Sequence, residues 1–439
     1  MSPSPPILLI SLDATRYDYL IDSDRNFRWP FFRQFVAQAH HFTHAYTPSP
    51  WTPPAHASLF TGLTPGEHRV VEGQLWLENQ HLTLAGYLGE RDYRTIGISS
   101  NPLLGPVTNL NKDFQSFYEV WKNPERLQQE AQFLRFDDII LNSSEVQAKV
   151  LEILATEIDD FLEKPTFLFL QLIGPHNPYQ PSQEALEKFV GLYPDTVWEQ
   201  VIRYNQDWRF YYAEGRNMTT QEQSLLQALY RAELDDLNST LETLFTLPWF
   251  QHVMEVGHVI ITADHGEMLG EHNHIHHLFN LYEPLIHIPL LWRMPHQGKM
   301  VTHNEFIQHQ HIFPLLRQLL TGEQDVLDKW HSTAPGQIMA QLQEPVEILQ
   351  GLDQVNPHTG DVFRHHQIAL QDKAEKVIWH SNGIHECFDT STDIRELYNL
   401  FPERTGVFQN KLDACQKVYE LGRNNRTHVD ELMWKLGYF

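Results

Sequence analysis

Asp264 and His265 stand side by side where the apolar, β-branched run at 259–261 ends in Thr262. A carboxylate beside an imidazole is half of a divalent-cation site. One oxygen and one nitrogen donor suit zinc or manganese better than calcium, which prefers oxygen alone. His272, His274, His276 and His277 follow within the same stretch. Their density fits a second metal ion or a polar loop, and the lack of a carboxylate between them favours the loop. Glu267 and Glu271 read as structural loop and cap residues. Asp13 closes a second apolar run, ILLISL at 7–12, and a strand ending in an acid is where α/β sheets place ligand-binding groups. A turn or cap role is equally open for it, and Arg16 reads as a brace beside it. Thr52 precedes two prolines, the segment AHASLF and a stop at Gly62. That pattern puts Thr52 at a helix amino terminus, where free amides and the dipole favour an anion, an alkoxide included. Local sequence alone favours the simpler role of helix cap. His176 lies between prolines in IGPHNPYQP, just past a strand at 167–172. A rigid turn of this kind excludes a core histidine and leaves a ligand or a turn residue.

Groups so far apart in sequence need a frame that brings strand ends together. Strand patterns at 7–12, 41–46, 94–99, 167–172, 258–262 and 285–292 alternate with amphipathic helices. The helices are predicted at 28–39, 82–90, 221–244 and 305–320, the last enclosing Pro314. A further one, capped by Ser144, carries the stripe Val146, Val150, Leu154, Ile158 and Phe161. The alternation predicts an α/β fold with a large mixed, mostly parallel sheet sandwiched by helices. Residues 101–142 have weak periodicity and read as an insertion or site rim, as do 180–220 with their aromatic DWRFYY. Beyond about 330 the texture changes to short β-like pieces at 367–370, 376–380 and 385–389, then helices at 406–422 and 428–436. The predicted division is a catalytic α/β domain at 1–330 and a smaller C-terminal α+β subdomain with an antiparallel sheet at 331–439.

The 439 residues are 41% hydrophobic, ample for a large core. Acidic residues outnumber basic ones 56 to 32, a net charge of −24, which argues against nucleic acid and anionic membranes as partners. An anionic substrate would then need a local metal or histidine cluster to overcome that background. Only Cys387 and Cys415 occur, which suits a reducing compartment. The ILLISL run is too short for a signal peptide or a membrane span. A cytoplasmic protein is expected, in which the sequons at Asn142 and Asn238 carry no meaning. A homo-oligomer is left open.

Four stretches in order, LDATRYDYL (12–20), TPPAHASLFTG (52–62), PHNPY (175–179) and TADHGEMLGEH (262–272), resemble the sulfatase family of the alkaline phosphatase superfamily. DIRELYNLFPE at 393–403 and the terminal LGYF resemble the family's closing segment, so the resemblance covers nearly the whole chain. It implies an alkaline phosphatase-like fold and a metal held by Asp13, Asp264 and His265. Thr52 falls at the nucleophile position and completes the metal ligands. His56 falls where the family signature has an arginine. His176 matches the histidine of the H-x-P-Y motif, which holds the anion or assists the leaving group. His277 falls where relatives place a Lys or His on the substrate oxygens.

Two departures shape the expected chemistry. Threonine cannot become the formylglycine that sulfatases make from Cys or Ser, because its β-carbon carries a methyl group. Ala14 replaces a second acid, which removes an oxygen ligand and disfavours calcium further. The expected activity is metal-dependent hydrolysis of a small anionic substrate, a phosphate monoester, diester or related ester. Thr52 would attack and form a phosphothreonine intermediate, with manganese or zinc as the cofactor. A sulfuric ester hydrolase working without formylglycine and a non-catalytic anion-binding member are the alternatives, with phosphotransfer a minor variant of the first.

Overall fold

The computed structural model describes residues 4–21, 27–121, 143–157 and 164–424. The helix expected at 428–436, the LGYF end and much of the 101–142 rim lie outside them. Short runs of Ile, Leu, Val and Phe with no polar alternation suit strands covered on both faces. Such runs make the middle of the main sheet. In chain order the strands are β1 (Ile7–Leu12), β2 (His40–Tyr46), β3 (Arg94–Ser99), β4 (Ser116–Glu119), β5 (Thr166–Leu172), β6 (His258–Ala263), the two-residue β7 (Met268–Leu269) and β8 (Ile275–His276), β9 (Leu290–Arg293) and β10 (Val301–Gln308). Eight of them form one sheet in the order β10, β2, β9, β6, β1, β5, β3, β4. Only β9 runs against its neighbours. This is the mixed, mostly parallel sheet expected. β1, β5 and β6 are buried along their whole length. β7 and β8 pair antiparallel as a small separate ladder.

Two expected elements differ from the structure. The strand read at 285–292 is a short helical turn, Glu283–Ile286, followed by β9. Pro284 sits in the first helical turn and Pro289 offers no ladder donor, so one continuous strand is not available to this sequence. The helix read at 305–320 starts only at His309, because 301–308 is the edge strand β10, parallel to β2. An edge strand is partly exposed, so it lacks the apolar run that marks β1. The helix His309–Leu320 packs on the helix Thr52–Thr61, whose left-handed stop at Gly62 is needed on two counts. Its φ is +71°, and a β-carbon there would lie 3.0 Å from Pro314 Cδ.

The C-terminal part is a four-stranded antiparallel sheet of β11 (Ile338–Leu342), β12 (Gln367–Gln371), β13 (Glu375–His380) and β14 (Glu386–Asp389). β11 was not legible in sequence. One face buries Leu370, Val377 and Cys387 against Phe408, Leu412 and Cys415 of the helix Thr405–Asn424. Alternate residues, Ala369, Ile378 and Phe388, face the other way and pack with Leu281, Leu285 and Phe306. The alternation is that of a strand covered on both sides. Among the described residues, no helix is long and apolar enough to cross a membrane.

Candidate metal and nucleophile centre

β1 and β6 are parallel neighbours with Leu12 opposite Ala263, so the residues that follow them, Asp13 and Asp264, emerge side by side at one sheet edge. This is the carboxyl edge, where open α/β sheets bind ligands. Both acids are fully buried. Ala14 turns away in a left-handed conformation (φ +52°), and its N–H donates to Asp264 Oδ1 at 3.1 Å. The His265 N–H donates to the same oxygen at 2.9 Å. Gly266 follows because the chain passes under Pro284, whose carbonyl oxygen would lie 1.9 Å from a β-carbon at that position.

His265 Nδ1 is 2.9 Å from the Gly266 carbonyl, so Nδ1 carries the proton and Nε2 presents a lone pair. That lone pair lies 3.6 Å from Asp13 Oδ1 and 3.4 Å from Asp264 Oδ2. It also accepts the Thr52 hydroxyl at 3.3 Å. Asp13 Oδ1 and Asp264 Oδ2 are buried with no hydrogen-bond partner. Two carboxylate oxygens and an imidazole lone pair facing one another with no hydrogen between them are unfavourable unless a cation joins them. Three oxygens and one nitrogen make a donor set for a divalent cation. Burial and the neighbouring Asp264 charge push the Asp13 carboxyl well up. Burial also pushes Asp264 up, but His265, His56 and the two backbone N–H groups outweigh it and hold the carboxyl below its ordinary value. Burial pushes His265 down, toward the neutral form that a metal requires.

Thr52 is not spent as a helix cap. Trp51 holds the cap position of the helix Thr52–Thr61 and no side-chain cap bond is made. The Thr52 hydroxyl turns instead to His265 Nε2 and receives Asn101 Nδ2 at 3.3 Å. One turn on, His56 Nδ1 donates to the Thr52 carbonyl at 2.9 Å, and its Nε2 accepts from Ser11 Oγ at 2.9 Å. His56 is fully buried and 3.7 Å from Asp264 Oδ2, so it braces the helix start against β1 from behind. Burial holds it neutral.

His176 and His277 join the same edge. The ring centroids of His265 and His277 are 4.2 Å apart, and those of His176 and His277 are 4.9 Å apart. His176 Nδ1 is fixed on the Asn177 carbonyl. His277 Nδ1 donates to Glu267 Oε1 at 3.0 Å. Glu267 is therefore no loop cap. It is fully buried, and burial pushes its carboxyl up to about 7. Glu267, His276 and His277 each offer a ligand atom within 4.8 Å of the other two. His272 and His274 do lie apart. His272 stacks on Tyr282 at 4.0 Å, and His274 faces the Tyr212 hydroxyl at 3.3 Å. Arg16 is the expected brace, bonded to Asp18, to Glu271 and to the Glu267 carbonyl. Glu271 is held by that contact and by the Leu269 N–H.

Two residues escaped the sequence reading. Asn101 Nδ2 and Gln171 Nε2 each donate to Asp13 Oδ2 at 2.7 Å and fix which oxygen points at His265. Asn101 lies two residues past the end of β3, one further than Asp13 lies past β1, so a strand-end argument extended by one residue would have found it. Gln171 is the one amide in the run TFLFLQL, and its burial demands partners.

The Sulfatase family model matches residues 5–322 of this chain. The Escherichia coli (strain K12) protein YidJ, described as an uncharacterized sulfatase, is 22% identical over 339 residues, 71% of this chain and 65% of that protein. The chain spans 65% and 41% of the lengths of the two curated relatives it matches. Among solved structures, the phosphonate monoester hydrolase of Silicibacter pomeroyi superposes with a TM-score of 0.69 at 16% identity, covering 97% of this chain and 96% of that one. A 2-O GAG sulfatase, BT1596, superposes with a TM-score of 0.67 at 14% identity, covering 96% and 93%. At these identities the superpositions establish a shared fold.

Proposed function

The chain belongs to the sulfatase family, and from that premise we propose that it is a hydrolase of small anionic esters whose nucleophile is Thr52. One observation carries the reading: Thr52 Oγ1 converges with the unpartnered Asp13 Oδ1, the unpartnered Asp264 Oδ2 and the lone pair of His265 Nε2. These four residues would hold a divalent metal of the manganese or zinc class. Bound there, the ion supplies the positive charge that lowers the threonine hydroxyl's pKa and offsets charge on the attacked group.

The chain's own residues supply the rest. Asn101 and Gln171 keep Asp13 oriented, and His56 holds the helix start so that Oγ1 faces the substrate. Pro53 and Pro54 have no N–H to offer an anion, so the helix Thr52–Thr61 favours the alkoxide only through the dipole at its amino end. Oγ1 forms a bond to phosphorus as the bond to the leaving oxygen breaks, giving a phosphothreonine. His176 or His277 stabilises the departing oxygen, and His176 is the one free to protonate it. Water then attacks phosphorus, the bond to Oγ1 breaks and the threonine returns. Phosphorus is favoured over sulfur because the Thr52 methyl group bars the formylglycine route. With Cys387 and Cys415 both free and buried, a cytoplasmic setting fits the same reading.

Purified protein assayed on p-nitrophenyl phosphate, bis-p-nitrophenyl phosphate and p-nitrophenyl sulfate, with manganese or zinc added, tests it. Turnover of a phosphoester, reduced at least ~100-fold in Thr52→Ala, is expected, the scale on which removing one essential electrostatic partner acts. Turnover of the sulfate ester alone would overturn the preference for phosphorus. Full turnover by Thr52→Ala would overturn the nucleophile. Metal binding with no turnover would favour a protein that only binds anions.

A further inference from the structure

Three independent features meet beside the centre just described. Glu267, His276 and His277 present one ligand atom each within 4.8 Å of one another, and all three are buried. Glu267 Oε2 is buried with no hydrogen-bond partner, although Oε1 has one in His277. Most informative is the backbone of His276, which is left-handed with φ +65°. A side chain rarely adopts that conformation, and glycine would adopt it freely. The His276 ring lies beside Trp208 and His277, with the Asp207 carboxylate acting on it. Strain of this kind persists where a side chain is needed.

Charge points the same way. Asp13, Asp264 and Glu267 place three buried carboxylates at the edge where an anionic substrate must bind. Arg16 reaches this loop but is spent on Asp18, Glu271 and a carbonyl. One divalent cation balances two of the carboxylates and leaves the third. We propose that Glu267, His276 and His277 hold a second divalent cation of the zinc or manganese class, beside the first across the contact between the His265 and His277 rings. Two imidazoles and one carboxylate form a three-ligand site of the type that leaves a position open for water or a substrate oxygen. The inference rests on the reading of Asp13, Asp264 and His265 as a metal centre only in calling this cation the second.

Equilibrium dialysis of the chelator-stripped full chain against zinc, followed by metal analysis, tests the site without reference to activity. Two zinc ions per chain are expected for the wild type, and one each for His276→Gly and Asp13→Asn. Glycine is at ease at φ +65°, so His276→Gly keeps the fold, which a circular dichroism spectrum checks. Glu267→Gln makes the same test if it does not. One zinc per wild-type chain, lost in Asp13→Asn and kept in His276→Gly, would overturn the second site and leave the first standing. No zinc at all would overturn both. Two zinc ions in wild type and His276→Gly alike would place the second ion elsewhere and overturn the assignment.

Discussion

Replacing Asp13 by asparagine should stabilise the metal-free protein and at the same time weaken its response to metal. In the wild type, ligand oxygens of Asp13 and Asp264 lie within 4.8 Å of each other. Two unit charges at that distance repel by about 3.5 kcal/mol at an effective dielectric constant of about 20. Asparagine removes the repulsion without orphaning its surroundings. Its carboxamide oxygen can take the place of Oδ2, which accepts from Asn101 and Gln171. Its NH2 then falls where Oδ1 lies 3.6 Å from the His265 Nε2 lone pair, as a donor among acceptors. The benefit depends on pH. Asp13 titrates well above its ordinary range, so the stability of the metal-free wild type is full below the ordinary carboxylate pKa and is lost as pH rises through the raised folded value. The advantage of Asp13→Asn therefore grows with pH toward about 3.5 kcal/mol, the repulsion at the 4.8 Å limit. Metal reverses the order, since at a free concentration 100 times Kd the wild type gains about 2.7 kcal/mol. The variant, short of one ligand at this centre, gains less than the wild type by that amount. Urea unfolding at mildly alkaline pH, once with chelator and once with manganese, should show the two midpoints crossing. An Asp13→Asn protein less stable than wild type in chelator by more than about 1 kcal/mol, the worth of an ordinary hydrogen bond, would refute the reasoning. Equal stabilisation of both proteins by manganese would refute it too.

Other outcomes follow from the same contacts. Asn101→Ala loses a donor to the Asp13 carboxylate, worth about 1.5–3 kcal/mol. Steady-state kinetics should show kcat/KM reduced about ten- to a hundredfold, and a change under twofold would contradict it. Lys376 is fully buried, bridged to Glu396 and 3.8 Å from Glu283. Lys376→Met leaves buried carboxylates uncompensated and should cost about 3–5 kcal/mol in urea unfolding; an unchanged midpoint would show that the lysine does not hold them. Burial holds His258, His309 and His311 down to about 4. Below the ordinary histidine value the unfolded chain takes up these protons while the folded chain does not. Stability measured at stepped pH should then fall by up to about 4 kcal/mol per pH unit between 6.5 and 4, and a flat profile there would contradict the burial argument.

β1, β5 and β6 were legible because a strand buried on both faces has no choice but an unbroken apolar run. Their ends then pointed to Asp13, Asp264 and His265. The end of β10, 305–308, looks helical in sequence because an edge strand shows water one side, and VTHNEFIQ mixes polar and apolar residues accordingly. β9 was overextended because Pro284 and Pro289 act through missing donors, which an apolar count does not register. The supporting partners were harder still. Asn101 and Gln171 matter only because β3 and β5 flank β1 on one side. Glu267 meets His277 only through the β7 and β8 ladder, so a local reading saw a loop acid and a run of histidines. The left-handed backbone at His276 has no sequence signature beyond the absence of a glycine.

The central claim, that Thr52 Oγ1 attacks the substrate, is tested most directly by trapping. Metal-loaded protein would be mixed with p-nitrophenyl phosphate, whose good leaving group makes breakdown of the covalent species the slow step. The mixture would be quenched in acid at successive times, digested and analysed by mass spectrometry. The account predicts a mass increment of one phosphoryl group on Thr52, rising during the first turnover and absent from Thr52→Ala. An unmodified Thr52 at every quench time, in protein that is releasing p-nitrophenol, would contradict it.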